Sequence, residues 1–262
     1  MIRGTIFTFF GKRDTKTIPR TTVPITTILT LLIISIMLTG ATNVVNVLAS
    51  TFPGSNGQIA FSSNREDDNY EIYSMHDNGH NVTRLTHDDA NDFDPSWSPD
   101  GQKMVFTSFR DGSDNEEIYV MNAGNGHNVT RLTHDDALDR EPSWSPDGQK
   151  IVFVSNRNSI DNSENEELGN NAIYSMNAGN GHNVTRLTHD DNDVNHLYPS
   201  WSPDGQKIVF VSNRVGGQNY EIYVMNAGNG HNVTRLTHDD ALDITPSWGT
   251  NTSSADGNSD DK

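Results

Sequence analysis

Four kinds of short apolar run follow one another along this chain and then recur. One reads Ile59-Ala60-Phe61, Met104-Val105-Phe106, Ile151-Val152-Phe153 and Ile208-Val209-Phe210. A second reads Ile72-Tyr73, Ile118-Tyr119, Ile173-Tyr174 and Ile222-Tyr223. A third is Arg-Leu-Thr, beginning at Arg84, Arg131, Arg186 and Arg235, and a fourth is Pro-Ser-Trp, beginning at Pro95, Pro142, Pro199 and Pro246. Each run is short, rich in β-branched or aromatic residues and bounded by turn residues, which predicts strands. No part of the repeated region has helical periodicity.

Trp97, Trp144, Trp201 and Trp248 stand 47, 57 and 47 residues apart. Four strands in a unit of that length are the sequence signature of a β-propeller blade. The expected fold is all-β, with four four-stranded blades over residues 57–248. The array opens on an Ile-Ala-Phe strand and ends on a spare Pro-Ser-Trp strand. Setting that spare strand beside Ile59 would complete the first blade and close the ring, which removes open sheet edges. A closed monomer is the expected state, and an incomplete ring that dimerises to eight blades is the alternative.

Turn chemistry agrees. Ser-Pro-Asp-Gly joins the Pro-Ser-Trp strand to the next, with proline preset for a turn and glycine free to take positive φ. Asn-Ala-Gly-Asn-Gly plays the same part before Arg-Leu-Thr. Glycine pairs such as Gly124 and Gly126 are not a dinucleotide fingerprint, because no third glycine and no helix follow.

Outside the repeats the pattern changes. Residues 1–24 are basic, and residues 25–49 form an uncharged apolar stretch that is expected to be a helix acting as a signal peptide or membrane anchor. The basic side should stay cytoplasmic and the repeats should face outward, making the protein extracytoplasmic, with the membrane met through this segment only. Residues 249–262 are polar and are expected to be a disordered tail.

The chain's net charge is −17, but its first twenty residues carry +4, leaving −21 on the remainder. So acidic a surface disfavours nucleic acid and favours cations or basic proteins. With no cysteine, disulfide and thiolate chemistry are excluded.

The strings Pro-Ser-Trp-Ser-Pro-Asp-Gly-Gln-Lys-Ile-Val-Phe, Ile-Tyr-Val-Met-Asn and Arg-Leu-Thr resemble the WD40-like PD40 repeat of the TolB family, across about 190 residues. TolB itself has a six-bladed ring and an N-terminal α/β domain, neither of which this chain shows, so its peptidoglycan-associated lipoprotein partner does not carry over. The resemblance implies an extracytoplasmic propeller that binds a protein or cell-envelope component without catalysis. PD40-like blades also occur in prolyl-oligopeptidase-type enzymes, but no Gly-x-Ser-x-Gly elbow is present here.

Copy-to-copy comparison separates the two faces of the ring. The loops named above are nearly invariant, whereas the other two loop types differ in every copy and share one face. That variable face, at the mouth of the central channel, is the candidate binding surface. Its candidate residues are Arg65, Asp67, Asp68, Asp94, Arg110, Asp111, Asp114, Arg140, Glu141, Arg157, Tyr198 and Arg214. The arginines could take an anionic group or pair with neighbouring aspartates.

His87, His134, His189 and His238 begin variable loops, each followed by two acidic residues. They are candidate ligands for a divalent cation, or residues copied with the repeat onto separate solvated loops. Resemblance to PD40-type polysaccharide lyases makes a metal-dependent enzyme the alternative function, with these histidines as ligands and Arg65 or its equivalents neutralising a uronate. A second set, His80, His127, His182 and His231, lies in Gly-His-Asn-Val-Thr turns and is assigned a turn role. Asn81, Asn128, Asn183, Asn232 and Asn251 head N-glycosylation patterns, four of which come with the repeat. The acidic loops do not match an EF-hand.

Overall fold

A computed structural model describes residues 57–66, 68–112, 115–157, 171–190, 194–216 and 219–249. The leader (1–49), residues 250–262 of the tail, all of 158–170, Asp67 and Asp114 lie outside the described residues. Among those described, every regular element is a strand, and no helix is long and apolar enough to cross a membrane.

Fifteen strands form four antiparallel sheets. The first blade holds β1 (Gln58–Ser63), β2 (Glu71–His76) and β3 (Thr83–Arg84). The second holds β4 (Asp92–Trp97), β5 (Lys103–Ser108), β6 (Glu117–Asn122) and β7 (Thr130–Arg131). The third holds β8 (Asp139–Trp144), β9 (Lys150–Ser155), β10 (Ala172–Asn177) and β11 (Thr185–Arg186). The fourth holds β12 (His196–Trp201), β13 (Lys207–Ser212), β14 (Glu221–Asn226) and β15 (Thr234–Arg235). Each strand pairs with its neighbour in sequence, so every blade is an up-and-down meander.

The hairpins form for the reasons their residues supply. At Ser98–Gly101 the Ser98 hydroxyl donates to Asp100 Oδ1 at 2.6 Å, Gln102 N–H donates to the same oxygen, and Gly101 takes φ 69°. Those bonds hold the Asp100 carboxyl below its ordinary range. In the other hairpin, Asn125 Oδ1 accepts from His127 N–H at 3.0 Å. The second histidine set lies in these turns, exposed at its ends.

The core lies between blades. Ile72 and Leu85 of the first blade pack with Met104, Phe106, Tyr119 and Met121 of the second. Val105, Ile118 and Leu132 pack with Ile151, Phe153, Tyr174 and Met176 of the third. Val152, Ile173 and Leu187 pack with Ile208, Phe210, Tyr223 and Met225 of the fourth. Sheets covered on both faces explain why strands such as Ile151-Val152-Phe153-Val154 are continuously apolar rather than alternating. Each such buried side chain contributes about 1.5–3 kcal/mol.

Two features depart from the expected ring. The closing strand does not pair with β1: among the described residues the first blade has three strands, and Pro246–Trp248 is in no sheet. The Trp248 indole instead donates to the Ser200 carbonyl of β12 at 3.2 Å, continuing the array beyond the fourth blade. Strands of the first and fourth blades make no contact with each other. Pairing 246–248 with β1 needs a curvature set jointly by all the blade joints, and that curvature is not written in any local pattern.

Candidate binding face at the channel mouth

The first strand of each complete blade is innermost, since β4, β8 and β12 pack on one another. All three carry a register shift at the same place, between Phe93 and Ser96, Arg140 and Ser143, and Leu197 and Ser200. The residue at each shift precedes a proline and has positive φ: Asp94 51°, Glu141 53° and Tyr198 52°, with Thr245 (56°) at the equivalent place in the next segment. Proline disfavours the right-handed region for the residue before it, but left-handed backbone at a non-glycine residue is itself strained. Such strain persists where surrounding structure over-determines it, often at binding sites. Here it turns four variable side chains towards one cavity of about 280 Å³, lined also by the following prolines and serines.

Three of the sequence-predicted residues, Asp94, Glu141 and Tyr198, are thus brought together. Glu141 N–H donates to Thr107 Oγ1 at 3.2 Å, and Tyr198 N–H donates to Glu141 Oε2 across the joint between the third and fourth blades. Thr107 Oγ1 also lies 3.5 Å from Asp94 Oδ2. Arg140, another predicted residue, pairs with Glu116 Oε2 at 3.5 Å. Burial pushes the Glu141 carboxyl up to about 7, against the pull of Tyr198 N–H and Arg140, with Asp94 and Glu116 adding to the rise. Asp94 and Glu116 are also raised, burial being the main cause in each. Three carboxyls around one guanidinium leave the mouth short of positive charge. It is therefore suited to a cationic or hydrogen-bond-donating group.

The variable loops do share one face. Asn69 Nδ2 of the β1–β2 loop donates to the carbonyls of Asp88 and Ala90 in the β3–β4 loop, and Asn219 Nδ2 donates to Asp239 O in the same way. A second, open cavity of about 470 Å³ lies here, lined by Asp88, Asp89, Ala90, Asn91, Phe109, Arg110 and Gly112.

Except for Arg65, the predicted arginines are paired with carboxylates within the fold. Arg110 pairs with Asp88 and Asp92, both at 3.0 Å, and Arg157 pairs with Asp139 at 2.6 Å and Asp135 at 3.2 Å. Arg214 pairs with Asp190 at 2.7 Å. Each guanidinium also lies over the Phe–Tyr ring pair of its own blade, as does that of Arg65 over Phe61 and Tyr73. Asp111 accepts from the Tyr119 hydroxyl and from Arg131, while Asp68 is exposed.

His87, His134, His189 and His238 are all exposed at the starts of their loops. Among the described residues, no three His, Cys, Asp or Glu side chains are grouped so as to hold a metal ion.

Sequence reasoning missed two sets of buried acids. Asp92 and Asp139, on the inner strands, partner the arginines, and both are raised to about 6 by burial. Glu71, Glu117 and Glu221 are buried against Arg84, Arg131 and Arg235. The signal was their fixed offset, three residues before Pro-Ser-Trp and one before Ile-Tyr.

Radially repeated, four-stranded up-and-down sheets packed face to face around inner strands define a β-propeller. No protein-family profile matches the chain. The TolB structure from Agrobacterium tumefaciens is 28% identical, with a TM-score of 0.58 over 69% of this chain and 61% of its own. TolB from Acinetobacter baumannii is 29% identical, with a TM-score of 0.54 over 73% of this chain and 47% of its own. The chain therefore spans less than two thirds of either. Hydrazine synthase from Kuenenia stuttgartiensis, 18% identical over 72% of this chain and 33% of its own, with a TM-score of 0.55, shares the fold alone. The chain is a TolB-like β-propeller.

Proposed function

We propose that this TolB-like propeller works outside the cytoplasm and binds a protein or another cell-envelope component through the channel mouth, without catalysing a reaction. The observation that carries this reading is the convergence of Asp94, Glu141 and Tyr198, each held at positive φ, on one cavity. The blade scaffold repeats while these residues do not, which is the pattern of a recognition surface on a constant frame. The carboxyls favour a partner that inserts a basic or hydrogen-bond-donating group. The apolar residues 25–49 support an outward-facing location.

The test is capture from an envelope extract on immobilised full-length protein, comparing the native chain with Asp94→Asn/Glu141→Gln. Loss of one captured component from the double variant, with its melting temperature maintained, is the expected result. Identical capture by both would remove the mouth from consideration.

A further inference from the structure

We propose that two copies of this chain join head to tail, residues 243–248 of each supplying the missing inner strand of the other's first blade. The internal joints show what such a contact requires. Leu85, Leu132 and Leu187 are buried at the three joints, and their carbonyls press on Gly126, Gly181 and Gly230 so closely that a Cβ would stand 1.9–2.0 Å from the oxygen. Within the second and third blades an inner-strand aspartate, Asp92 or Asp139, neutralises the arginine that follows the next strand.

The two ends of the array present the two unfilled halves of this joint. At the trailing end, Leu236, the counterpart of those leucines, is 51% exposed, with Leu242 at 59% and Ile244 at 48%. Asp243 stands at the Asp92 position. Its N–H is already fixed by the Tyr220 carbonyl at 2.9 Å, as Asp92 N–H is by Tyr70, yet its Oδ2 is enclosed without a hydrogen-bond partner among the described residues. At the leading end, no strand among the described residues pairs with the second edge of β1, and Ile59 is 43% exposed. Gly79, the counterpart of the three joint glycines, has φ 80° and nothing among the described residues within 4 Å of a Cβ. Arg65 lies over its ring pair and bonds Ser63 Oγ, but has no carboxylate among the described residues. One end therefore holds an acid without a base, and the other a base without an acid.

The pairing register follows from the complete blades. Asp92 faces Ser108, Phe93 faces Thr107, Ser96 faces Val105 and Trp97 faces Met104. The same offsets set Asp243 against Ser63 and Trp248 against Ile59 of the second copy, bringing Asp243 to Arg65. Closure within one chain would have to bring together the first and fourth blades, whose strands make no contact with each other, whereas a second copy supplies each end with the half it lacks. Two copies give eight blades, within the usual range of four to eight, and a joint that closes on itself avoids open-ended filaments.

Sedimentation of the full chain in mild detergent, at tens of micromolar by the concentration scale of ordinary association, should give twice the chain mass. Arg65→Asp and Asp243→Arg, each alone, should give single chains. An equimolar mixture of the two should recover the dimer, because each joint again pairs one acid with one base. Recovery on mixing also shows that both variants are folded and that the contact is made in trans. Leu236→Arg, which alters a side chain already exposed, should abolish the dimer as well. A monomeric native chain, a dimer indifferent to all three substitutions, or no recovery on mixing would each overturn the proposal.

Discussion

The backbone N–H of Tyr198 donates to the side chain of Glu141, tying the inner strand of the fourth blade to that of the third at the channel mouth. The acceptor is a carboxyl whose pKa burial has raised from its ordinary 4.5 to about 7. The folded chain holds that proton where the unfolded chain has released it. The stability drawn from this group is therefore present below about 4.5 and is lost as pH rises through about 7. Glu141→Gln keeps an acceptor for Tyr198 and removes the charge. It should stabilise the protein by about 1 kcal/mol at pH 8, less than the full shift would give because the mouth meets solvent, and have no effect at pH 4.5. Thermal melts at the two pH values decide this, and equal effects at both would refute it.

At the second joint, Gly181 has φ 69° and a Cβ there would stand 2.0 Å from the Leu132 carbonyl oxygen. The obstacle is backbone, so no rotamer change relieves it. Gly148 has φ 71° as well, but meets only the Pro99 ring at 3.8 Å. Gly181→Ala should cost about 3 kcal/mol or more by forcing the blades apart, and Gly148→Ala about 1 kcal/mol from backbone conformation alone. Urea denaturation of the two variants gives the comparison, and similar midpoints would show that the joint is softer than its contacts indicate.

The strands and turns were legible in the sequence because their causes are local: β-branched runs, a Pro-Asp-Gly turn, a glycine where φ is positive. The candidate face was legible because repeats expose what varies. The left-handed backbone at Asp94, Glu141 and Tyr198 was not legible, since proline restricts its predecessor without choosing this region. The pairing of Arg110 with Asp92 was foreseeable in kind, but which of the many aspartates took the role depended on the meander's register. Ring closure was not legible, because strand count says nothing of curvature.

Arg157 and Asp139 test how far these inner pairs matter. Asp139 is fully buried and stands at about 6, with burial pushing it up and Arg157 pulling it down. Arg157→Met leaves a buried carboxylate without its cation, which should cost about 3 kcal/mol at pH 8. The carboxyl then takes up a proton more readily, so the cost should shrink towards pH 5. A penalty unchanged between those pH values would mean that lost packing on Phe153 and Tyr174, and not charge, dominates.

His196 breaks the pattern of acids on the inner strands, and the break has a pH signature. Its ring is buried edge-on to Phe210 at 5.6 Å, with Nε2 2.8 Å from Asp190 Oδ2, the same oxygen that Arg214 meets at 2.7 Å. Burial lowers the His196 pKa more than Asp190 raises it. The unfolded chain therefore gains its proton first as pH falls, and this group costs stability below about 6.5, its ordinary value. His196→Asp would restore the arrangement of the second and third blades, giving Arg214 a second acid. The new carboxylate, raised by burial like Asp92 and Asp139, should instead add stability as pH falls from about 6 towards 4. The difference in melting temperature between variant and native chain should accordingly grow in the variant's favour from pH 7 to pH 5, and a difference that stays constant would show that His196 does not sense pH in the folded protein.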